Sequence, residues 1–151
     1  MRDLEAEFAD YADHHTDPLN KVTHFIGIPL IALCLLGLGS KLRLIELGWL
    51  PVDVGVLFGL ALVGVYFAWR PVLALGVASV FVPLYLAGSQ LSTPMLIGLL
   101  AFAVGLQYVG HFVFEKRAPA FHRNLIHTLV GPLWIAASFF RGLGRLVGWR
   151  A

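Results

Sequence analysis

From Pro71 to Phe114 the chain runs 44 residues without an aspartate, glutamate, lysine or arginine. A bilayer-crossing helix takes about 20 mostly apolar residues, so this stretch is too long for one crossing. The turn-forming segment Gly88-Ser89-Gln90-Leu91-Ser92-Thr93-Pro94 interrupts it, which predicts two helices joined by a hairpin. Three shorter uncharged runs cover 22–40, 54–69 and 124–140. Charged residues make up 13% of the chain, about half the ~25% of soluble domains, and mean hydropathy is +0.79.

The expected architecture is an all-α integral membrane bundle, one domain over residues 1–151. Four transmembrane helices are expected at about 18–39, 51–69, 71–87 and 95–114, with a C-terminal helix at about 124–141. That last segment is short and carries Gly131-Pro132, so a fifth span, a re-entrant piece and an interfacial helix all remain open. The first 17 residues read as an amphipathic helix ending near Thr16, with Leu4, Phe8, Tyr11 and His15 on one face. Their acids and lack of a basic start argue against a signal peptide. Asp17-Pro18 then reads as an N-cap followed by proline at the first helical position.

The net charge of +2 gives no footing for a polyanion, so no nucleic-acid partner is expected, and the bilayer is the surrounding medium. Cys34 stands alone, which excludes a disulfide framework and a cysteine-based zinc site. Arg2, Lys21, Arg70, Lys116, Arg117 and Arg123 fall on the N-terminal side of four crossings. Lys41 and Arg43 fall opposite, joined by Arg141, Arg145 and Arg150 if the last segment crosses. The positive-inside rule leans towards a cytoplasmic N-terminus. Oligomeric state is not legible.

The six histidines are His14, His15, His24, His111, His122 and His127, with none between Phe25 and Gly110. Four crossings return the chain to its starting side, so both groups share one membrane face. Asn20 and His24 lie one turn apart, and Gln107, His111 and Glu115 repeat at that spacing, so each set forms a helical stripe. Polar groups at membrane depth usually face the bundle interior or a wet cavity. Neutral imidazoles with a nearby carboxylate suit Fe, Zn, Cu or Ni. On spacing alone, a structural polar network linking helices stands beside the metal reading. His14 points about 100° from His15 on a helix, towards solvent. His122 reads as a boundary residue, Tyr11 as an interfacial aromatic, and His127 as a packing hydrogen bond or a ligand. Glu115 pairs with a nearby cation or orients an imidazole.

Two segments carry a family resemblance. Tyr11-Ala-Asp-His-His15-Thr-Asp17-Pro18-Leu-Asn20-Lys21-Val-Thr-His24-Phe-Ile-Gly27-Ile-Pro29 resembles the N-terminal signature of the 2-hydroxy fatty acid dioxygenases. Gln107-Tyr-Val-Gly110-His111-Phe-Val-Phe-Glu115-Lys-Arg-Ala-Pro119-Ala120 resembles the second signature, and the intervening apolar hairpins match in layout. The resemblance implies an Fe(II)-dependent membrane oxidoreductase, with Zn as a possible substitute metal. It implies that a 2-hydroxy long-chain fatty acid is shortened by one carbon with O₂. The membrane is then the bacterial cytoplasmic membrane or the eukaryotic endoplasmic reticulum, with the site on the cytoplasmic face.

Carried over, His15, His24 and His111 are the implied metal ligands. Asn20, Glu115 and Tyr11, at motif positions, take orienting or catalytic roles. His127 enters as a fourth candidate ligand where relatives commonly carry glutamine. The acyl tail is expected to stay in the bilayer, with Lys21, Arg117 or Arg123 attracting the carboxylate. The contrasting reading is a non-enzymatic lipid-binding or scaffolding protein with a structural histidine network.

Overall fold

In the computed structural model, residues 4–47, 50–119, 122 and 125–146 are described. Arg2, Ala120, Arg123 and Arg150, named above, lie outside that set. The helices are α1 (Leu4–Asp13), α2 (Pro18–Gly39), α3 (Val54–Trp69), α4 (Pro71–Gln90), α5 (Thr93–Val109) and α6 (His127–Leu146). Two strands, β1 (Arg43–Leu47) and β2 (Leu50–Asp53), form an antiparallel hairpin between α2 and α3. From Gly110 to Glu115, α5 continues as a π-helical turn.

The helix starts follow local chemistry. The Asp17 side chain accepts hydrogen bonds from the backbone N–H groups of Leu19 (2.7 Å) and Asn20 (3.2 Å), with Pro18 at the first helical position. Asp53 caps α3 through the Val56 N–H at 2.8 Å and accepts the Tyr85 hydroxyl at 2.5 Å. Its cap places 51–53 in a strand, so the expected helix over 51–69 begins at Val54. Serines 79 and 89 bond back to carbonyls three residues earlier, and α4 runs on to Gln90 instead of stopping at 87. Only Leu91 and Ser92 separate it from α5. At the other end, α1 stops at Asp13, not near Thr16, because the N–H groups of Thr16 and Asp17 bond to the Glu115 carboxylate. The last helix is displaced from about 124–141 to His127–Leu146.

Helices α2, α4 and α5 with its π turn are each long and apolar enough to cross a membrane. At 16 residues α3 is shorter, about 24 Å at 1.5 Å per residue, yet wholly uncharged. Large apolar side chains such as Leu60, Val72, Val82 and Phe102 are more than half exposed, as lipid-facing positions would be. Helix α6 is amphipathic: Val130, Leu133, Trp134 and Ala137 are buried while Phe139 and Arg141 are exposed.

Glycines set the helix separations. A Cβ on Gly37 would meet the Gly88 backbone, and one on Gly39 the Gly55 backbone. Thus α2 touches α4 and α3 backbone to backbone at this end. At the opposite end α2 lies against α5, where a Cβ on Gly110 would strike Asn20 and Thr23. Helix α1 crosses that end, with Tyr11 packed on Val130 and Trp134 of α6 and Glu5 paired to Arg70 at 2.7 Å.

Candidate metal centre

Three distant positions converge where α2 begins and α5 ends. His15 sits in the turn after α1, His24 in the second turn of α2, and His111 in the π turn. One nitrogen from each lies within 4.8 Å of the others, and all three side chains are buried. The ring centroids stand 4.3, 4.9 and 4.8 Å apart. Nitrogens sharing one ion at ~2.0–2.1 Å lie about 3–3.5 Å apart, so small side-chain movements would close this set.

The hydrogen bonding suits that use. His15 Nδ1 donates to the Tyr11 carbonyl at 2.6 Å and His24 Nδ1 to the Asn20 carbonyl at 2.9 Å. In a neutral ring this leaves the Nε2 lone pair free, the usual way a liganding imidazole is oriented. His15 Nε2 and His111 Nδ1 are buried and have no hydrogen-bond partner. A purely structural network would have satisfied them, since an orphaned buried polar atom costs about 1–3 kcal/mol. Burial, followed by the neighbouring His24, pushes the His15 imidazole down to about 3, so it is neutral at ordinary pH. The donor set therefore fits a transition-metal ion.

Glu115 braces the centre and does not touch the rings directly. One carboxylate oxygen accepts from the Thr16 N–H (2.9 Å) and hydroxyl (2.5 Å). The other accepts from the Asp17 N–H (3.0 Å) and the Asn20 side-chain amide (2.9 Å). The end of α5 is thereby fastened to the turn that carries His15. Gln107 donates to the Thr23 carbonyl at 3.1 Å, fastening the two helices one turn further in. The stripe Gln107, His111 and Glu115 thus faces α2 throughout. The π turn ends at Lys116, whose left-handed backbone (φ 55°) stops the helix. Such π segments are frequent at functional sites.

Tyr11 stacks on His15 with centroids 4.0 Å apart and rings 14° from parallel. Its phenol is buried and raised well above the usual range. His127 lies outside the triad, behind Tyr11, with Nε2 3.0 Å from Asp10 and 3.4 Å from Glu7. Neither ring nitrogen makes an aligned hydrogen bond. His14 is half-buried on the same outer side, its Nδ1 2.8 Å from the Asp10 carbonyl. His122 is exposed beside Tyr108. Lys21 and Arg117, expected to attract a carboxylate, do not line the cavity described next, and Arg117 reaches the Asp13 carbonyl instead.

A cavity of about 420 Å³ leads away from the triad. Tyr11, His15, His24, Gln107, His111 and His127 line its polar end, and Ile31, Leu35, Phe58 and Leu62 line the part remote from the triad. Tyr66 of α3 also lines it, fully buried, with a hydroxyl that has no hydrogen-bond partner. Sequence reasoning missed this residue. It sits in an uncharged run, where a tyrosine reads as another apolar aromatic, and only the helix packing turns its hydroxyl inward.

Fold and site together define a class: a membrane-type helical bundle with a buried three-histidine centre at one end and an apolar cavity behind it. Residues 1–143 match the Mpo1-like family, described as 2-hydroxy-palmitic acid dioxygenase Mpo1-like, and the chain belongs to it. It is similar to the 2-hydroxy-palmitic acid dioxygenase MPO1 of Saccharomyces cerevisiae, at 30% identity over 150 residues, covering 95% of this chain and 83% of the yeast protein. No solved structure matches the chain.

Proposed function

We propose that this protein is a metal-dependent dioxygenase that shortens 2-hydroxy long-chain fatty acids by one carbon, with O₂ as co-substrate. The observation that carries the reading is a buried triad of imidazoles, two with orphaned nitrogens, opening on an apolar cavity. Family membership and the yeast relative's name support the substrate class. The balanced reaction converts a 2-hydroxy acid and O₂ to the acid one carbon shorter, carbon dioxide and water. The bond between carbons one and two breaks, and O₂ takes up four electrons.

His15, His24 and His111 would hold the ion, Fe(II) by the resemblance, with Zn(II) suited to the same donors. When bound, the ion supplies Lewis-acid and redox chemistry towards O₂ and the hydroxy acid. His15 and His24 are held in one tautomer by their carbonyl partners, and Glu115 with Asn20 holds the His15 turn in place. Tyr66 offers its unpartnered hydroxyl to the substrate headgroup, and the apolar walls exclude water. His127 is left out of the proposed ligand set, since it lies outside the three-nitrogen group and its Nε2 faces Asp10 and Glu7.

The membrane arrangement follows by parity. The meeting of His24 and His111 supports an even number of crossings between them, so if α2, α4 and α5 cross, α3 is taken as the fourth. The Glu5–Arg70 pair likewise keeps the α3–α4 junction on the face of α1. Lysine and arginine are more numerous on that face, which supports assigning it to the cytoplasmic side.

The test is metal analysis of anaerobically purified protein, followed by addition of 2-hydroxypalmitate and O₂. Bound iron and release of the fifteen-carbon acid are expected. Metal-replete protein that forms no shortened acid from any 2-hydroxy acyl chain would refute the reading.

A further inference from the structure

We propose that the acyl tail of the substrate leaves the bilayer and lies inside the protein, in a wedge between α2 and α3 that runs from the triad to Leu35 and Phe58. This rests on the function proposed above and names where that substrate's tail goes.

The wedge follows from the packing. The Gly39–Gly55 approach holds α2 and α3 backbone to backbone at one end. Towards the triad, the stripe His24, Ile28, Ile31 and Leu35 of α2 and the stripe Phe58, Leu62 and Tyr66 of α3 line a common cavity. The helices therefore diverge from the glycine contact, and the start of α6 with Phe81 of α4 walls the gap. From His24 to Leu35 is eleven residues, about 16 Å along the helix axis. A saturated chain with bonds near 1.5 Å advances about 1.3 Å per bond, so about a dozen carbons fit between headgroup and stop.

The polar groups are segregated to match. Counting from the Gly39–Gly55 contact, Tyr66 comes level with Ile28, about one turn from His24. Beyond that level the wall comprises only apolar side chains: Ile31, Ala32, Leu35, Leu36, Phe58 and Leu62. Leu35 and Phe58 are each 39% exposed, so the wedge has a side open to lipid, and a tail can slide in without meeting water. A second apolar groove of about 350 Å³ lies across Ile28, Ala32, Phe81 and Pro132 from the first. It contains none of the three histidines, and it is the competing place for a tail.

The test uses 2-hydroxyhexadecanoic acid carrying a photoreactive diazirine near its methyl end, with the full chain in lipid nanodiscs under anaerobic conditions. Adducts are located by peptide mass spectrometry. Labelling at Leu35, Phe58 or Leu62 is expected. Adducts confined to Phe25, Val80, Phe139 or Phe140, or spread evenly over lipid-facing residues, overturn the channel. A second arm uses Leu62→Trp, which fills the wedge at mid-length. Wedge labelling by the sixteen-carbon probe should fall at least tenfold, while an eight-carbon analogue keeps labelling near Tyr66; unchanged labelling by both counts against the channel. Because labelling needs no turnover, the two readings fail separately. Wedge adducts without any shortened product sink only the oxygenase, whereas product with adducts elsewhere sinks only the channel.

Discussion

His15 and His24 each give Nδ1 to the carbonyl four residues back, and this small local bond decides what the other nitrogen can do. The imidazoles must be neutral to serve. His15 has a folded pKa of about 3 against an ordinary 6.5, so the unfolded chain binds the extra proton first as pH falls. Stability of the metal-free protein should therefore be full above pH 6.5 and decline between 6.5 and 3, which a pH series of thermal melts will reveal. Tyr66 makes a prediction of opposite sign for free and bound protein. Tyr66→Phe removes an orphaned buried hydroxyl and should stabilise the ligand-free protein by about 1–3 kcal/mol. The same change should raise the KM for a 2-hydroxy acid. An unchanged melt and an unchanged KM would together mean that the hydroxyl is idle.

At the scale of elements, the contact between α2 and the π turn governs whether the triad forms. A Cβ on Gly110 would strike the Asn20 and Thr23 side chains, both buried. Gly110→Ala should cost about 1–3 kcal/mol as overpacking, and retained metal should fall with it. Glu115→Gln keeps the shape of the brace but removes the charge that four donors share. Metal affinity should drop about 10–100-fold, as when a group orienting a ligand is lost, with helix content unchanged by circular dichroism. Much of this was legible beforehand: the stripes Asn20–His24 and Gln107–His111–Glu115 follow from helical spacing alone. What Glu115 grips was not, because its partners are backbone N–H groups of Thr16 and Asp17, which carry no side-chain signature. The hairpin was also missed, since Leu44 and Ile45 resemble the apolar runs beside them, yet the strand they occupy is exposed.

For the whole molecule, charge spacing was sufficient to foresee that the residues before α2 and those at the end of α5 come together at one end of the bundle, because uncharged length maps onto helices that run its full depth. The cavity was not foreseeable, since it depends on where the glycine contacts pinch the helices and where they let them part. Crossing number can be measured directly with single cysteines in a Cys34→Ser background. Positions 16 and 70 should react with an impermeant thiol reagent from one side of the membrane, and positions 40 and 92 from the other. If position 70 labels with 40, α3 does not cross and the parity argument fails.

The centre draws His15 and His24 from the beginning of the chain and His111 from after α5. If the triad holds a metal as proposed, the early pair lacks its third ligand until the last of the three emerges from the ribosome. Cofactor loading is consequently a finishing event, and a nascent chain arrested after Gln90 should insert normally yet carry no ion.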